Sequence, residues 1–295
     1  MNPTAAALSW MARCGLAALL LLLASRLAVA LLGGAWQMPA TTTGDGSLYT
    51  LNRYFTGPAP DVVLVGSSLT FRLKEAYFAS PNLRNIALAG GSPVTGLAIV
   101  ANQAQPPKTI LIEANVLSRP VDESLVRRYA AGASAEPRFL RPIRALVATA
   151  ENFAHKPPGG DQLHAELDRL IAEPPSSFDN SVYLARVLHE QDEDPSAMVR
   201  ANVDRMKELI ALAQQKGARV LLFELPELPQ VERARAVGIT HAIVHAAFPD
   251  DDRWLHVDAP REQLRWADAF HLDERSAVIF ARAMDKAIAA LGAGR

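Results

Sequence analysis

Two short motifs, far apart in the chain, contain the residue types of nucleophilic catalysis. An apolar run ends in Gly-Ser-Ser-Leu at positions 66–69, which would present a serine hydroxyl at the carboxyl end of a strand. Near the other end of the chain, Asp268 and His271 are three residues apart. A carboxylate bonded to imidazole Nδ1 fixes the tautomer in which Nε2 can take a proton from a serine hydroxyl. These residue types therefore predict acyl transfer through a serine nucleophile.

Each motif also has an ordinary structural explanation, because small hydroxyl residues often cap helices and a histidine near a helix start is often solvated. Two further elements favour catalysis. Gly90 lies in a glycine turn after a short apolar segment, and Asn115 ends an apolar run. A backbone N–H at the first and the side-chain amide of the second would stabilise a developing oxyanion, usually the largest contribution to acyl transfer. A turn glycine and a strand-ending asparagine remain the alternatives.

The elements that would position these residues alternate between buried strands and amphipathic helices. Short apolar runs that predict strands occupy residues 61–66, 108–115, 218–226 and 254–258. Helical periodicity extends over residues 198–216, with Gly217 as its stop, and over residues 274–291. Continuous apolar runs are typical of strands buried on both faces of a parallel sheet. The alternation predicts a three-layer α/β/α sandwich with a mostly parallel sheet, in which ligands bind at the carboxyl ends of strands.

Composition and charge exclude several classes of protein. Of the 295 residues, 49% are hydrophobic and 21% are charged, which is globular composition. Lys and Arg total 30 against 31 Asp and Glu, so the formal net charge of −1 provides no positive field, and we expect no nucleic-acid partner. The one cysteine, Cys14, excludes a disulfide framework and a cysteine-based zinc site. We also expect no cofactor.

An apolar segment near the N-terminus predicts a membrane anchor. Residues 15–36 contain one charged residue, Arg26, and as a helix would measure about 33 Å, enough to cross a hydrocarbon core. A cleavable signal peptide ending at Ala30 is the alternative, and both interpretations export the rest of the chain. Arg13 precedes the segment and the first basic residue after it is Arg53. The positive-inside rule therefore places the later residues outside the cytoplasm, in the periplasm of a bacterium.

The sequence divides into three predicted parts. Residues 1–36 are the signal-anchor or transmembrane helix, and residues 37–60, rich in Thr, Gly and Pro, are a linker. Residues 61–295 form one α/β domain, whose roughly 235 residues are a size that one domain can fill. Pro-containing stretches separate short helical pieces at about 120–195, which we interpret as an insertion in that domain.

Taken in order, the four elements resemble the SGNH hydrolase superfamily, also called GDSL-like esterases and lipases, whose four sequence blocks centre on Ser, Gly, Asn and His. The resemblance covers residues 61–291, and the matching residues are Ser68, Gly90, Asn115, Asp268 and His271. Two positions depart from the family pattern: Ser67 stands where the family has Asp, and Ala87 stands where Gly is common. A Gly-Ser-Ser motif also occurs in membrane-anchored relatives, such as the D-alanyl transfer protein of teichoic acid synthesis.

The resemblance implies an SGNH/flavodoxin-like fold and a double-displacement mechanism. Ser68 would be the nucleophile, His271 the general base, and Asp268 the residue that orients the imidazole. The N–H groups of Ser68 and Gly90 and the Asn115 amide would form the oxyanion hole. An acyl-serine results. Water as the acceptor makes such a protein an esterase, and a sugar hydroxyl makes it an acyltransferase.

The predicted anchor favours transfer, because the polysaccharide O-acetylation systems that the chain resembles pair an anchored SGNH protein with a multi-spanning membrane acyltransferase. We therefore expect a single-pass protein of the bacterial inner membrane, with its catalytic domain in the periplasm, that O-acetylates an exopolysaccharide or cell-envelope glycan. A carbohydrate esterase, deacetylase or lipase-like hydrolase is the second interpretation. A non-catalytic glycan-binding accessory subunit is the third, suggested by Ser67 in place of Asp.

Metal binding is the other chemistry that the sequence suggests. His241 and His245 are four residues apart on a predicted helix, which places both imidazoles on one face. No third ligand is identifiable from the sequence, so solvated histidines are favoured and we expect no metal. Glu113 and Glu224 lie in apolar strands, but carboxylates at strand ends are often solvated or hydrogen-bonded, and neither is included in the predicted site.

Overall fold

Four strands of the described chain pair in parallel in one sheet, in the order β2-β1-β3-β4. The strands are β1 (Val62–Val65), β2 (Leu83–Asn85), β3 (Thr109–Glu113) and β4 (Arg219–Phe223). The computed structural model describes residues 3–32, 50–51, 53–55, 57–80, 82–130 and 160–293. The protein is therefore an α/β protein with a parallel sheet, as the alternating pattern predicts.

Helices precede, connect and follow these strands. They are α1 (Pro3–Leu32), α2 (Ser68–Phe71), α3 (Pro93–Ala101), α4 (Glu123–Ala130), α5 (Gly160–Ala172), α6 (Ser181–Glu190), α7 (Ser196–Gln215), α8 (Pro229–Glu232), α9 (Arg235–Ala247) and α10 (Glu274–Ala293). Single turns of 3-10 helix lie at Glu75–Tyr77, Asp251–Arg253 and Arg261–Gln263. The described residues fall into two compact units, one with α1 and the helical residues 50, 51 and 53–55, the other with the sheet.

Alternate residues of the strands are buried on opposite faces of the sheet. Leu64, Leu111 and Leu221 belong to one apolar cluster, to which α10 contributes Val278, Phe280, Ala281 and Met284. Residues of the other parity, such as Val65, are also fully buried. A β-carbon on Gly96 of α3 would lie 3.3 Å from Val65 Cβ, so glycine allows this helix to approach the strand closely.

Three of the predicted strands are confirmed, and the fourth is wrong. In residues 254–258, Trp254 forms an isolated parallel bridge with Leu222 and the N–H of Leu255 donates to Leu222 O, but no strand follows. The chain leaves the sheet after these residues, and the exposed His256 lies 2.8 Å from Asp251. The short strand β2 is the one that the sequence does not predict.

Both predicted helices are confirmed. Helix α7 ends where Gly217 adopts a φ of 88°, the left-handed conformation that glycine takes up without strain. The N–H of Gly217 donates to Gln214 O and that of Ala218 donates to Ala213 O, which satisfies carbonyls of the last turn. The chain then enters β4 directly.

Helix α1 is long and apolar enough to cross a membrane. Its segment Ala6–Ala24 meets both requirements, and its side chains are exposed. Helix α1 also contains residues 15–32 of the predicted anchor. Residues 33–36 of the predicted anchor lie outside the described residues.

The predicted linker and insertion contain helices. Residues 50, 51 and 53–55 are helical and Leu51 is fully buried, whereas residues 37–49 lie outside the described residues. In the predicted insertion, α4 packs against α3, α5 packs against α10, and α6 packs against α8. Residues 131–159 also lie outside the described part of the chain.

The order of the strands reverses between β1 and β3. From β1 the chain passes to β2 on one side, and then returns across β1 to β3 on the other side. Such a reversal separates the loops that follow the two strands, and ligands of open α/β sheets bind at the resulting crevice. The Gly-Ser-Ser turn follows β1, and Asn115 follows β3.

Candidate active site

The structure brings Ser68, His271 and Asp268 into one chain of hydrogen bonds. Ser68 Oγ lies 2.8 Å from His271 Nε2, although the residues are 203 positions apart in sequence. His271 Nδ1 lies 2.8 Å from Asp268 Oδ2. Ser68 is partly exposed, so a substrate can reach its hydroxyl. This geometry can transfer a proton from serine to imidazole while the carboxylate stabilises the charge that forms.

Asp268 is held in place by its own loop. The N–H groups of Phe270 and His271 donate to Asp268 Oδ1 at 3.2 and 2.8 Å. Partial burial raises the pKa of Asp268, but the hydrogen bonds and the charge of His271 outweigh it, so the pKa lies below its usual value. Ala269 has a φ of 65°, a strained conformation for alanine that closes the loop around the carboxylate. The carboxylate is therefore ionised and fixed against the imidazole.

The two neighbouring serines have different roles. Ser67 is fully buried, its hydroxyl accepts the N–H of Leu69, and it donates to Glu113 Oε1 at 2.6 Å. Ser67 thereby caps α2, as the structural explanation of the motif predicts. Ser68 is the residue that contacts the imidazole. Of the two serines, the one that the sequence analysis predicts as the nucleophile, Ser68, is also the one that contacts His271.

Glu113, which the sequence analysis does not include in the site, lies directly behind the Gly-Ser-Ser turn. Its carboxyl group is fully buried and accepts four hydrogen bonds. The donors are the backbone N–H groups of Ser67 (2.8 Å) and Thr70 (3.2 Å) and the hydroxyls of Ser67 (2.6 Å) and Thr70 (2.7 Å). Burial raises the pKa of Glu113, and these hydrogen bonds oppose the rise. A charged residue inside an apolar strand is the sequence signal for this role.

Gly66 has to be glycine because the turn is packed against Glu113. A β-carbon at this position would lie 2.4 Å from Thr70 Cβ and 2.7 Å from Glu113 Oε2, closer than atoms can approach. The motif thus has a physical explanation. Glycine permits the close approach, and Ser67 and Thr70 supply the hydroxyl donors that the buried carboxyl group needs.

The turn that contains Gly90 lies beside the Gly-Ser-Ser turn. The N–H of Leu88 donates to Gly66 O at 2.9 Å, which continues the pairing of β2 with β1. The N–H of Gly91 donates to Leu88 O, and Gly90 has a φ of 78°, as glycine allows. Within the described residues, the N–H groups of Ser68 and Gly90 donate to no protein acceptor. Both are therefore available to a developing oxyanion.

Asn115 joins the ends of two strands and makes no described contact with Ser68 or His271. Its side-chain N–H donates to Leu225 O at 2.9 Å and its Oδ1 accepts the N–H of Leu225 at 2.8 Å. The same amide lies beside the buried carboxyl group of Glu227, whose pKa burial raises and the Asn115 hydrogen bond partly offsets. The structure thus supports the strand-ending interpretation of Asn115, and its assignment to the oxyanion hole stays a prediction.

An arginine lies next to the Gly90 turn. Arg119 Nη1 is 3.9 Å from the position that a β-carbon on Gly90 would occupy. Its side chain forms no ion pair with an acidic residue in the described part of the chain. A guanidinium group has five N–H donors for carboxylate, hydroxyl or phosphate oxygens, so Arg119 can contact a ligand at this edge of the sheet.

Comparison with known proteins identifies no relative. No family model, curated protein or solved structure matches the chain. The functional interpretation therefore depends on the residues and on their geometry.

Replacing Glu113 tests whether it holds the Gly-Ser-Ser turn. Glu113→Leu removes the acceptor of two buried backbone N–H groups, so we expect the free energy of unfolding to fall by about 2–6 kcal/mol. We also expect acylation of Ser68 by a p-nitrophenyl ester to slow. Glu113→Gln, which keeps one acceptor oxygen, should lose less of both. Urea unfolding of the detergent-solubilised chain and the acylation rate are measured together, and a folded Leu variant that acylates at the native rate would contradict this role.

Glu227 predicts how stability depends on pH. Burial raises its pKa from 4.5 to about 8, and the nearby Glu113, Glu232 and Glu224 add to the rise. Between these two pKa values the unfolded chain loses the proton that the folded chain keeps. The free energy of unfolding therefore falls as the pH rises through this interval, by about 1.4 kcal/mol for each pH unit.

Glu227→Gln removes this titration. We expect the variant to gain a few kcal/mol over the native chain between pH 6 and pH 8.5, as measured by urea unfolding. The exposed Glu262→Gln is the control, with an effect below about 0.5 kcal/mol. Parallel pH profiles for the native chain and Glu227→Gln would show that the pKa of Glu227 is not raised.

Proposed function

We propose that this protein is a membrane-anchored serine acyltransferase that O-acetylates an exopolysaccharide or cell-envelope glycan. The observation that carries the proposal is the hydrogen-bonded series from Ser68 Oγ through His271 to Asp268. The partial exposure of Ser68 and the unpaired N–H groups of Ser68 and Gly90 support it. The same features are those of the SGNH hydrolases that the sequence resembles.

The first half-reaction forms an acyl-serine. His271 Nε2 takes the proton of Ser68 as Oγ attacks the carbonyl carbon of an acetyl donor. The carbonyl oxygen becomes an oxyanion, which the N–H groups of Ser68 and Gly90 stabilise. When the intermediate collapses, the bond to the leaving group breaks and imidazolium returns the proton to that group. Asp268 keeps the imidazole oriented and balances its transient charge.

The second half-reaction transfers the acetyl group. A sugar hydroxyl gives its proton to His271 Nε2 and attacks the acyl-serine carbonyl carbon. The ester bond to Ser68 then breaks, and the imidazolium returns the proton to Oγ. The sugar gains an acetyl ester and the serine is restored. Arg119, whose guanidinium lies beside the Gly90 turn, would contact the oxygen atoms of such an acceptor.

The anchor favours transfer over digestion of external substrates. Helix α1 is long and apolar enough to span a membrane. We propose that it holds the protein in the bacterial inner membrane with the sheet domain in the periplasm, where a multi-spanning acyltransferase would supply acetyl groups. A hydrolase acting on soluble substrates has no need of this position.

We propose a three-layer α/β/α sandwich of the SGNH/flavodoxin type for this domain. Two observations support the layers. Helix α10 shares an apolar cluster with strand residues of one parity, such as Leu64. Helix α3 packs against β1 and β3 and lies against Val65, whose parity is opposite, while α7 packs against β4.

A carbohydrate esterase is the second candidate function. Ser68 is partly exposed, so water can also reach the acyl-serine. The same first half-reaction then ends in hydrolysis, with water replacing the sugar hydroxyl as the group that gives its proton to His271. Product analysis separates these two functions.

Covalent labelling tests whether the serine is reactive. We expect a serine-directed fluorophosphonate to form one adduct on Ser68, identified by peptide mass spectrometry of the solubilised chain. Ser68→Ala should give no adduct, and His271→Ala should react at least about 100 times more slowly, because the general base is lost. A folded native protein that forms no adduct on Ser68 would exclude both enzymatic functions and favour a glycan-binding accessory subunit.

Product analysis tests the fate of the acyl group. With p-nitrophenyl acetate and an oligosaccharide, we expect O-acetylated oligosaccharide in the mass spectrum. Asp268→Asn should lower its formation by about 10³–10⁴, since the imidazole then takes the wrong tautomer. Release of free acetate alone, even with the acceptor in excess, would assign the protein to the esterases.

A further inference from the structure

Two imidazoles and one carboxylate meet where the end of β4 lies beside α9. Glu224 directly follows β4, and His241 and His245 are one turn apart on α9. His241 Nε2 lies 2.8 Å from Glu224 Oε1, and His245 Nε2 lies 3.1 Å from the same oxygen. The sequence alone identifies the two histidines as possible metal ligands but does not identify a third ligand. The structure supplies Glu224, 17 residues away from the nearer histidine.

We propose that Glu224, His241 and His245 form a binding site for a divalent transition-metal ion of the zinc class. Their three ligand atoms all lie within 4.8 Å of one another. Ligand atoms about 2.0–2.1 Å from a tetrahedral zinc ion are about 3.3 Å apart, so small side-chain rotations would admit the ion between them. The site is separate from Ser68, His271 and Asp268, and does not depend on the function proposed for them.

The types of donor determine the class of metal. Two imidazole nitrogens and one carboxylate oxygen suit zinc, copper, nickel and cobalt ions, whereas calcium and magnesium prefer sets of oxygen ligands. Histidines at i and i+4 present their ring nitrogens on one face of a helix, as a shared ion requires. Binding needs a free electron pair on each Nε2, so the affinity should fall at acidic pH.

A neighbouring aromatic ring fixes one of the ligands. The rings of His245 and Trp254 stack, with centroids 4.3 Å apart and planes 4° from parallel. The indole N–H of Trp254 donates to Phe248 O at 2.9 Å, which fixes the indole in turn. Contacts of this kind orient metal ligands before the ion binds and contribute to affinity.

The site is open to solvent. The side chains of His241 and His245 are 56% and 43% exposed, and that of Glu224 is 27% exposed. An ion can therefore enter without unfolding, and water or a ligand from outside would complete its coordination. A bound ion would also fasten α9 to the end of β4, because its ligands come from both elements.

Without metal, Glu224 Oε1 forms a hydrogen bond with His245 and lies 2.8 Å from His241 Nε2. The measurement that decides is calorimetric titration of Zn²⁺ into the tag-free, detergent-solubilised full chain after removal of metal with EDTA. We expect one equivalent to bind. Glu224→Gln and His241→Ala, both at solvent-accessible positions, should each weaken binding by at least about tenfold.

Two controls make the outcome specific. His256→Ala changes an exposed histidine that pairs with Asp251 nearby, and it should bind Zn²⁺ as the native chain does. Ser68→Ala should also bind normally, which separates this site from the proposed catalysis. No binding by the native chain, or equal affinity in Glu224→Gln and His241→Ala, would overturn the proposal. Loss of binding in His256→Ala would assign the ion elsewhere and overturn it as well.

Discussion

The Ser68 site depends on the hydrogen bonds between the buried carboxyl group of Glu113 and the Gly-Ser-Ser turn. It accepts hydrogen bonds from both backbone and hydroxyl groups of the turn that follows β1. Since buried polar groups need partners, the turn and the carboxyl group stabilise each other, and neither is satisfied if the other moves. Ser67 and Thr70 complete this arrangement, and Gly66 leaves the space for it. Ser67 and Thr70 contact Glu113, whereas Ser68, between them, contacts the imidazole of His271.

Each strand of the parallel sheet contributes polar groups at the same edge. The strands β1, β2 and β3 are followed by the serine turn, the Gly90 turn and Asn115, and β4 is followed by Glu224. In a parallel sheet the carboxyl ends of all strands lie at the same edge. Residues that follow different strands therefore lie close together although they are distant in sequence. The edge then holds two separate groups of side chains. One surrounds Ser68, and the other lies between β4 and α9.

Local patterns predict what local forces determine. Apolar runs identify β1, β3 and β4 because strands buried on both faces have no polar side to interrupt them. The Asp-x-x-His spacing identifies the Asp268–His271 pair because three residues of loop suffice to close it. The motif cannot show which side chains support the serine turn, since Glu113 reaches it from a neighbouring strand 46 residues away in sequence.

Long-range contacts explain the failures of sequence reasoning. The segment 254–258 has a strand-like pattern, but its pairing with β4 is limited to one isolated bridge, between Trp254 and Leu222. Strand β2 is three residues long, and only the first of them is fully buried. Its sequence therefore has no apolar run that would predict a strand. Glu224 resembles an ordinary strand-end carboxylate in sequence, and only the fold places it beside His241 and His245. The contact of Asn115 with Leu225 likewise depends on which strands are neighbours.

The separation of 203 positions between Ser68 and His271 also imposes an order in time. A ribosome that adds about 5–20 residues each second makes the serine some 10–40 s before the imidazole that it contacts. During that interval the hydroxyl has no base and is a weak nucleophile. The imidazole is followed at once by α10, whose apolar side chains complete one face of the core. In the function proposed above, the serine and its base therefore meet only in a chain that has nearly completed its core.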